Sequence, residues 1–170
     1  MAEFATMSDE DANALLAVAR GLQNPARVGM RHRLLQGKNL ALMCDASDPS
    51  DGAAAGAVAS ATLFQRAASA LGAHVAQLRP ILTQHSTRDQ VEHTARLLGR
   101  LYDALECVGM PPDLVGRISA VAGVPVFEAI SSPDHPTSRL ADRLGRLGDG
   151  TASDDNRCAL IQAVLISVLA

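Results

Sequence analysis

The stretch "VPVFEAISSPDHPTSRLADRL", residues 124–144, is the most informative part of the chain about its fold. Its first seven residues form a short apolar run directly after Gly123, which is typical of a buried strand. A loop rich in Ser, Pro and Asp follows, and His-Pro-Thr at residues 135–137 stands at the entrance of an amphipathic helix. This order predicts an α/β unit whose polar loop lies beyond the carboxyl end of a parallel strand.

The same alternation of strands and helices extends through the rest of the chain. Leu15, Leu16, Ala19 and Leu22 recur at helical spacing and predict an opening helix. We predict helices over residues 9–23, 53–72, 88–101 and 111–123, and strands over residues 38–44, 73–79, 102–108 and 124–130. The sequence therefore predicts a single three-layer α/β domain: a parallel sheet of about four strands, helices on both faces, and a C-terminal helix that closes the fold.

Composition and charge limit the function classes. The 170 residues are enough for one domain, and with 2% aromatic residues its core must consist mainly of Ala, Leu and Val. A net charge of −3 provides no general attraction to nucleic acid, and the basic cluster at residues 31–33 is typical of a solvated helix end. No stretch approaches the ~18 apolar residues of a membrane span. We predict no nucleic-acid or membrane partner.

The three cysteines and the start of the chain bear on location. Cys44, Cys107 and Cys158 are far apart and show no Cys-x-x-Cys spacing, which predicts buried thiols in a reducing cytoplasm. The first residues are acidic, unlike a signal peptide, and either Met1 or Met7 is the natural start. We therefore expect a cytoplasmic protein.

Four segments carry a resemblance to a known family: "LLQGKNLALM" (34–43), "ALGAHV" (70–75), "HTARLLGRLYDAL" (93–105) and the opening stretch. In this order they resemble the carbamoyl-phosphate domain of the aspartate/ornithine carbamoyltransferases. The opening stretch is similar to the family's Val-Pro-Val-x-x-x-Leu-Ser-Asp-x-x-His-Pro-Thr-Gln-x-Leu-Ala-Asp, and the tail "DDNRCALIQAVLISVLA" resembles its final helix. In the family an amino-acid-binding domain precedes that helix. The resemblance implies that residues 1–170 form one domain, with a core at 10–147, a junction at 148–153 in place of the second domain, and a closing helix at 154–169.

The resemblance also implies a remnant of a ligand-binding site. The family's reaction is the attack of an amine on the carbamoyl carbon of carbamoyl phosphate, and it requires donors around the phosphate and at the carbonyl oxygen. His135 matches the His that the family uses at the carbamoyl oxygen, Thr137 belongs to the same motif, and Arg157 matches an Arg of the closing helix. Two alternatives remain open: His135 as a turn residue before proline, and Arg157 as a first-turn charge beside Asp154 and Asp155.

The phosphate-binding part of that site looks degenerate. The family's Ser-Thr-Arg-Thr-Arg, at a helix N-terminus, falls on Ala57, Val58, Ala59, Ser60 and Ala61. Losing two charge-assisted contacts of ~1.5–3 kcal/mol each lowers phosphate affinity by roughly 10²–10⁴. After the third strand, "ECVGM" stands where the family has an Arg, and Ser138 stands in place of the Gln of His-Pro-Thr-Gln.

Two further patterns near these positions have plain interpretations. Asp45, Asp48 and Asp51 precede the second helix and oppose a dianion, but they lack the spacing of a calcium loop, so we predict no metal and no cofactor. "STRD", residues 86–89, imitates the missing motif, and we interpret it as a helix cap by Ser86 or Thr87 with Asp89 in the first turn.

Three functions are consistent with these patterns. The preferred hypothesis is a non-catalytic carbamoyltransferase-like protein with a scaffold, oligomerisation or regulatory role, forming a homotrimer or a mixed oligomer with a full-length relative. The second is a protein that binds a small anion or metabolite through His135 and Arg157. The third is a carbamoyltransferase of the ornithine or aspartate type that another chain completes.

Overall fold

A computed structural model describes residues 8–23, 33–45, 52–145 and 153–170. Its strands are β1 (Asn39–Cys44), β2 (His74–Leu78), β3 (Ala104–Val108) and β4 (Val126–Glu128). Its helices are α1 (Asp9–Gln23), α2 (Gly52–Ala70), α3 (Arg88–Leu101), α4 (Pro112–Ala122), α5 (Ser138–Gly145) and α6 (Ser153–Leu169). The predicted alternation is confirmed, with shifts of a few residues at element ends.

The four strands form one parallel sheet in the order β2-β1-β3-β4. In the middle of the sheet Leu40 lies opposite Val75 of β2 on one side and Ala104 of β3 on the other. The chain therefore runs from β1 to the edge strand β2, and it then crosses back to form β3 and β4 on the other side of β1. Ligands of parallel α/β sheets bind where the order reverses, outside the carboxyl ends of the strands, which here means the ends of β1 and β3.

Helices cover both faces of the sheet, as predicted. Leu40 and Leu42 of β1 belong to a buried cluster that includes side chains of α1, α2, α5 and α6. Ala41 and Met43 point to the other face and join a cluster built with α3 and α4. In α6, Ala163 and Leu165 are fully buried because this helix packs between α1, α2 and α5. The C-terminal helix thus closes the first face.

The "STRD" stretch is a helix cap. Thr87 is the N-cap of α3: its Oγ1 accepts a hydrogen bond from the Gln90 backbone N–H at 3.3 Å, and the Gln90 Oε1 accepts one from the Thr87 N–H at 2.8 Å. Asp89 lies in the first turn, where a carboxylate stabilises the helix dipole. The capping interpretation is confirmed, and it explains these letters without a phosphate site.

The prediction of three buried thiols is correct for one cysteine and wrong for two. Cys107 is buried in β3, and burial raises the pKa of its thiol to about 12. Cys44 and Cys158 are half-buried, because Cys44 ends β1 at the edge of the core and Cys158 lies in the first turns of α6.

Some of the sequence predictions concern residues outside the described ranges: the acidic residues Asp48 and Asp51, the cluster at 31–32, the junction at 148–152 and the start of the chain. Among the residues that are described, no helix is long and apolar enough to cross a bilayer. Within those same ranges, no three His, Cys, Asp or Glu side chains group as metal ligands.

Candidate functional site

The polar loop begins where β4 ends. Ala129 has a φ of 49°, a left-handed conformation that is rare for a residue with a side chain, and it turns the chain out of the sheet. Its N–H donates to the Cys107 carbonyl at 2.9 Å, and its own carbonyl accepts from the Ser132 N–H at 2.8 Å. The loop of residues 130–137 therefore starts at the carboxyl edge of β3 and β4, as the sequence predicts.

His135 and Thr137 form a compact local arrangement in this loop. The His135 Nδ1 lies 2.8 Å from the Thr137 Oγ1 and accepts from the Thr137 N–H at 3.3 Å. Burial lowers the pKa of His135, so the neutral ring is favoured at pH 7, and with Nδ1 as acceptor its proton is on Nε2. The Nδ1 atom of His135 therefore makes its contacts within the turn, to Thr137.

Arg157 reaches the same loop from α6. Its Nη2 donates to the Ser131 carbonyl at 2.6 Å, and its Nη1 lies 3.4 Å from the Asp154 Oδ1. Arg157 therefore pairs with a first-turn carboxylate, as the charge interpretation predicts, and it also contacts the loop that carries the His-Pro-Thr motif. The structure brings Arg157 and Thr137 to one small cavity.

That cavity is very small. Its volume is about 10 Å³, roughly what a single water molecule requires, and its walls include Ile130, Leu160 and Ile161. A ligand larger than a water molecule therefore does not fit this cavity without movement of the loop or of α6. In this conformation these polar groups have partners within the protein: His135 Nδ1 contacts Thr137, and Arg157 binds the Ser131 carbonyl and Asp154.

Glu106 supports the loop from below and was not among the predicted site residues. It lies in β3 and is fully buried, and its Oε1 accepts from the Ser131 Oγ at 3.2 Å. Its Oε2 has no hydrogen-bond partner among the described residues. Burial raises the pKa of this carboxyl well above its ordinary range, and hydrogen bonds from Ser131 and Ile130 offset that only in part. A charged residue in the apolar run "ALECV" was the available signal.

Asn156, next to Arg157, holds α6 in place. Its side chain is buried, its Nδ2 donates to the Ala141 carbonyl of α5 at 3.3 Å, and its Oδ1 accepts from the Gln23 Nε2 of α1 at 2.7 Å. Because these bonds join three helices, they determine the position from which Arg157 approaches Ser131.

The five positions that match the family's phosphate motif lie elsewhere. Ala57 is the sixth residue of α2, so the five residues occupy the interior of the helix, where each N–H is bonded within the helix, and not its N-terminus. Ala57, Ser60 and Ala61 are buried, whereas Val58 is about half exposed. Ala57 packs near Gly109, where a Cβ, if one were added, would lie 3.4 Å from the Ala57 Cβ and 2.5 Å from the Asp45 carbonyl oxygen. None of the five lines the small cavity.

Fold and site together define a doubly wound parallel α/β domain with a His-Pro-Thr loop at the carboxyl edge of its sheet. No protein-family model matches the chain. The ornithine carbamoyltransferase of Actinobacillus pleuropneumoniae is 34% identical over 137 residues, which are 81% of this chain and 38% of that protein. The chain belongs to the ornithine/aspartate carbamoyltransferase family and spans about two fifths of the length of these relatives.

Solved structures agree with this assignment. An ornithine carbamoyltransferase from Thermus thermophilus superimposes with a TM-score of 0.64 at 28% identity, over 84% of this chain and 46% of that one. The enzyme from Pyrococcus furiosus gives a TM-score of 0.61 at 27% identity, over 79% of this chain and 40% of that one. The resemblance found in the sequence is therefore confirmed as a family relationship over part of the relatives' length.

Proposed function

We propose that the chain is a carbamoyltransferase-like protein that does not transfer carbamoyl groups and acts through protein contacts, as a scaffold, oligomerisation or regulatory subunit. The observation that carries the proposal is the state of Arg157. Its guanidinium is bonded to the Ser131 carbonyl and paired with Asp154, beside a cavity of about 10 Å³. A substrate would gain this cation only at the expense of both contacts.

The phosphate side supports the same proposal. The residues that match the family's arginine-bearing motif carry no charge, and Ala61 and Ala57 are part of the core. A guanidinium at a position such as Ala61 would have to enter apolar surroundings, where an unpaired charge is strongly disfavoured. With the N–H groups of these residues bonded inside α2, no backbone donor is left for a phosphate, and Ser60, which carries the one hydroxyl among the five, is buried.

The small size of the cavity and the contacts of Arg157 also bear on the two alternative functions. A small-anion site built on His135, Thr137 and Arg157 would use the cavity of about 10 Å³ that Thr137 and Arg157 line, so it also requires Arg157 to leave Ser131. A carbamoyltransferase completed by another chain would need that chain to supply both the amine site and the phosphate donors. We therefore place both behind the non-catalytic role, and we place that role in the cytoplasm, where the free cysteines stay reduced.

We expect no binding and no turnover of carbamoyl phosphate. Calorimetry with millimolar carbamoyl phosphate should give no heat above dilution, because Arg157, the cation that lines the cavity, is already bonded to Ser131 and Asp154. Assays of the chain alone with ornithine and with aspartate should form neither citrulline nor carbamoyl-aspartate. The same assays after mixing with an intact ornithine carbamoyltransferase should form no more product than that enzyme forms by itself.

The matched control is His135→Ala, with its fold checked by circular dichroism. Product formed by the wild-type chain and lost in His135→Ala would contradict the proposal and establish a catalytic role. Heat without product, again lost in the variant, would favour the anion-binding function. A rate above the subtracted background only in the mixture would favour the completed enzyme.

We also expect the chain to assemble. The resemblance implies trimer contacts made by the carbamoyl-phosphate domain, and α3 leaves Leu97 and Leu101, one helical turn apart, about half exposed. Light scattering after size exclusion should give the mass of a trimer, or of a mixed oligomer when an intact relative is present. A strict monomer at tens of micromolar, with and without the relative, would contradict the scaffold role.

A further inference from the structure

A second cavity, much larger than the one beside Arg157, lies on the other face of the sheet. Its volume is about 210 Å³, and it opens at the carboxyl ends of β1 and β2 and next to the residues that follow β3. This is the edge at which parallel α/β sheets bind ligands. Its apolar walls come from the strand ends, from α3 and from the β2–α3 loop, and include Met43, Leu78, Ile81, Leu82, Leu98 and Met110.

The cavity is built on a packed base. Met43, Leu82, Leu98 and Met110 are buried members of the core cluster on the α3 and α4 side. Ile81, in contrast, is 78% exposed at the cavity, the most exposed large apolar side chain of the described chain. An apolar floor of this kind is suited to a small apolar body, as an enclosed cavity of about 150 Å³ lined by Leu, Ile and Phe binds benzene.

The polar groups of the cavity indicate the charge of the ligand. Among the described residues, Arg79 and Thr94 are its polar lining side chains, and no acidic side chain lines it. Arg79 is exposed and makes no hydrogen bond or ion pair in the part of the chain that the structure describes. A planar guanidinium offers a carboxylate two parallel hydrogen bonds.

We infer that this cavity binds a small organic carboxylate with an apolar body of about six to nine non-hydrogen atoms, with Arg79 holding the carboxylate. The body lies among the methionine and leucine side chains. A phosphorylated metabolite is the wrong chemistry for the site, because one arginine and one hydroxyl leave most of a dianion against apolar walls. This inference stands independently of the proposed function, since none of the residues involved belongs to the His135 cluster.

The test uses the full chain and three probes of similar size: benzoate, benzyl alcohol and benzylamine. Calorimetry should rank benzoate first, the alcohol about tenfold weaker and the amine weakest, the differences reflecting one charge-assisted pair. Arg79→Met keeps the apolar stem and removes the charge, so it should lose the preference for benzoate and retain the affinity for the alcohol. Arg100→Met, an exposed arginine of α3 outside the cavity, should behave like the wild type.

A second readout locates the ligand. Met43 and Met110 both line the cavity, so the methyl resonances of these two residues should shift on addition of benzoate through the ring current, with assignment by Met43→Leu and Met110→Leu. The inference is overturned if neither methyl moves, if Arg79→Met binds benzoate as the wild type does, or if no probe binds at millimolar concentration. If no probe binds and the chain self-associates in a way that Ile81→Asp abolishes, the cavity is instead a contact between copies of the chain.

Discussion

Replacing Gly99 with alanine should destabilise the protein by about 3 kcal/mol, the upper end of the range for overpacking. Gly99 lies in α3 where this helix crosses the C-terminal end of α4. A Cβ at this position would overlap the carbonyl oxygen of Ala122 and lie 2.9 Å from its carbonyl carbon. Backbone cannot move aside like a flexible side chain, so α3 and α4 would have to separate and disturb the cluster that includes Val91, Leu98 and Ile118.

Gly116 supplies the matched control, since it is also a helical glycine, in α4, but nothing lies within 4 Å of the Cβ that alanine would add. Gly116→Ala should stabilise by about 0.5–1 kcal/mol, because alanine has the higher helix propensity. Urea unfolding followed by circular dichroism measures both variants. Equal midpoints for Gly99→Ala and the wild type would show that the two helices do not cross at this distance, whereas loss of a folded baseline in Gly99→Ala alone would be the extreme form of the expected result.

Replacing Glu106 with glutamine should change how stability depends on pH. The pKa of Glu106 in the folded chain is well above its ordinary value of 4.5, because the carboxyl is fully buried. The folded state therefore binds this proton more tightly than the unfolded state does. The stability that the group contributes is complete below about pH 4.5 and is lost as pH rises through the folded pKa. Glutamine has the same shape and never ionises, so Glu106→Gln removes this loss.

We expect the wild-type chain to lose stability relative to Glu106→Gln as pH rises, by up to tenfold in the folding equilibrium constant per pH unit until the folded pKa is passed. Urea unfolding at several pH values between about pH 5 and pH 8 measures the difference, in which the contributions of other titrating groups such as His135 cancel. Glu128→Gln, at an exposed position in β4, should run parallel to the wild type. Parallel curves for Glu106→Gln and the wild type would mean that Glu106 is not buried as described.

Much of the fold was predictable because its signals are local. The apolar run at residues 124–130 and the helical spacing of Leu15, Leu16 and Ala19 both report which faces are buried, and the structure forms β4 and α1 there. The capping function of Thr87 was equally readable, since a capping box needs only residues three positions apart. The predicted ends of the helices and strands were less exact. The last residues of a strand depend on the hydrogen-bond partners that the neighbouring strands provide.

The candidate site was predictable only in part. His135 and Thr137 are two residues apart in one motif, so the sequence placed them in the same loop. The burial of Glu106 beneath Ser131 was not visible, since these residues are distant in sequence and a single glutamate in a strand does not reveal which face of the sheet it occupies. The burial of Ala57 and Ala61 inside α2, likewise, depends on which face of that helix meets the sheet.

The parallel α/β architecture and the family to which the chain belongs could be read from the amino-acid order, because strand and helix periodicity and the His-Pro-Thr motif are written in neighbouring residues. How the site is arranged became visible only in the packed molecule. Packing turned Arg157 onto the Ser131 carbonyl, left a cavity of only about 10 Å³ beside it and formed a larger cavity of about 210 Å³ on the opposite face near Arg79. These outcomes depend on how helices pack against a sheet, and packing brings together side chains whose separation along the chain carries no signal.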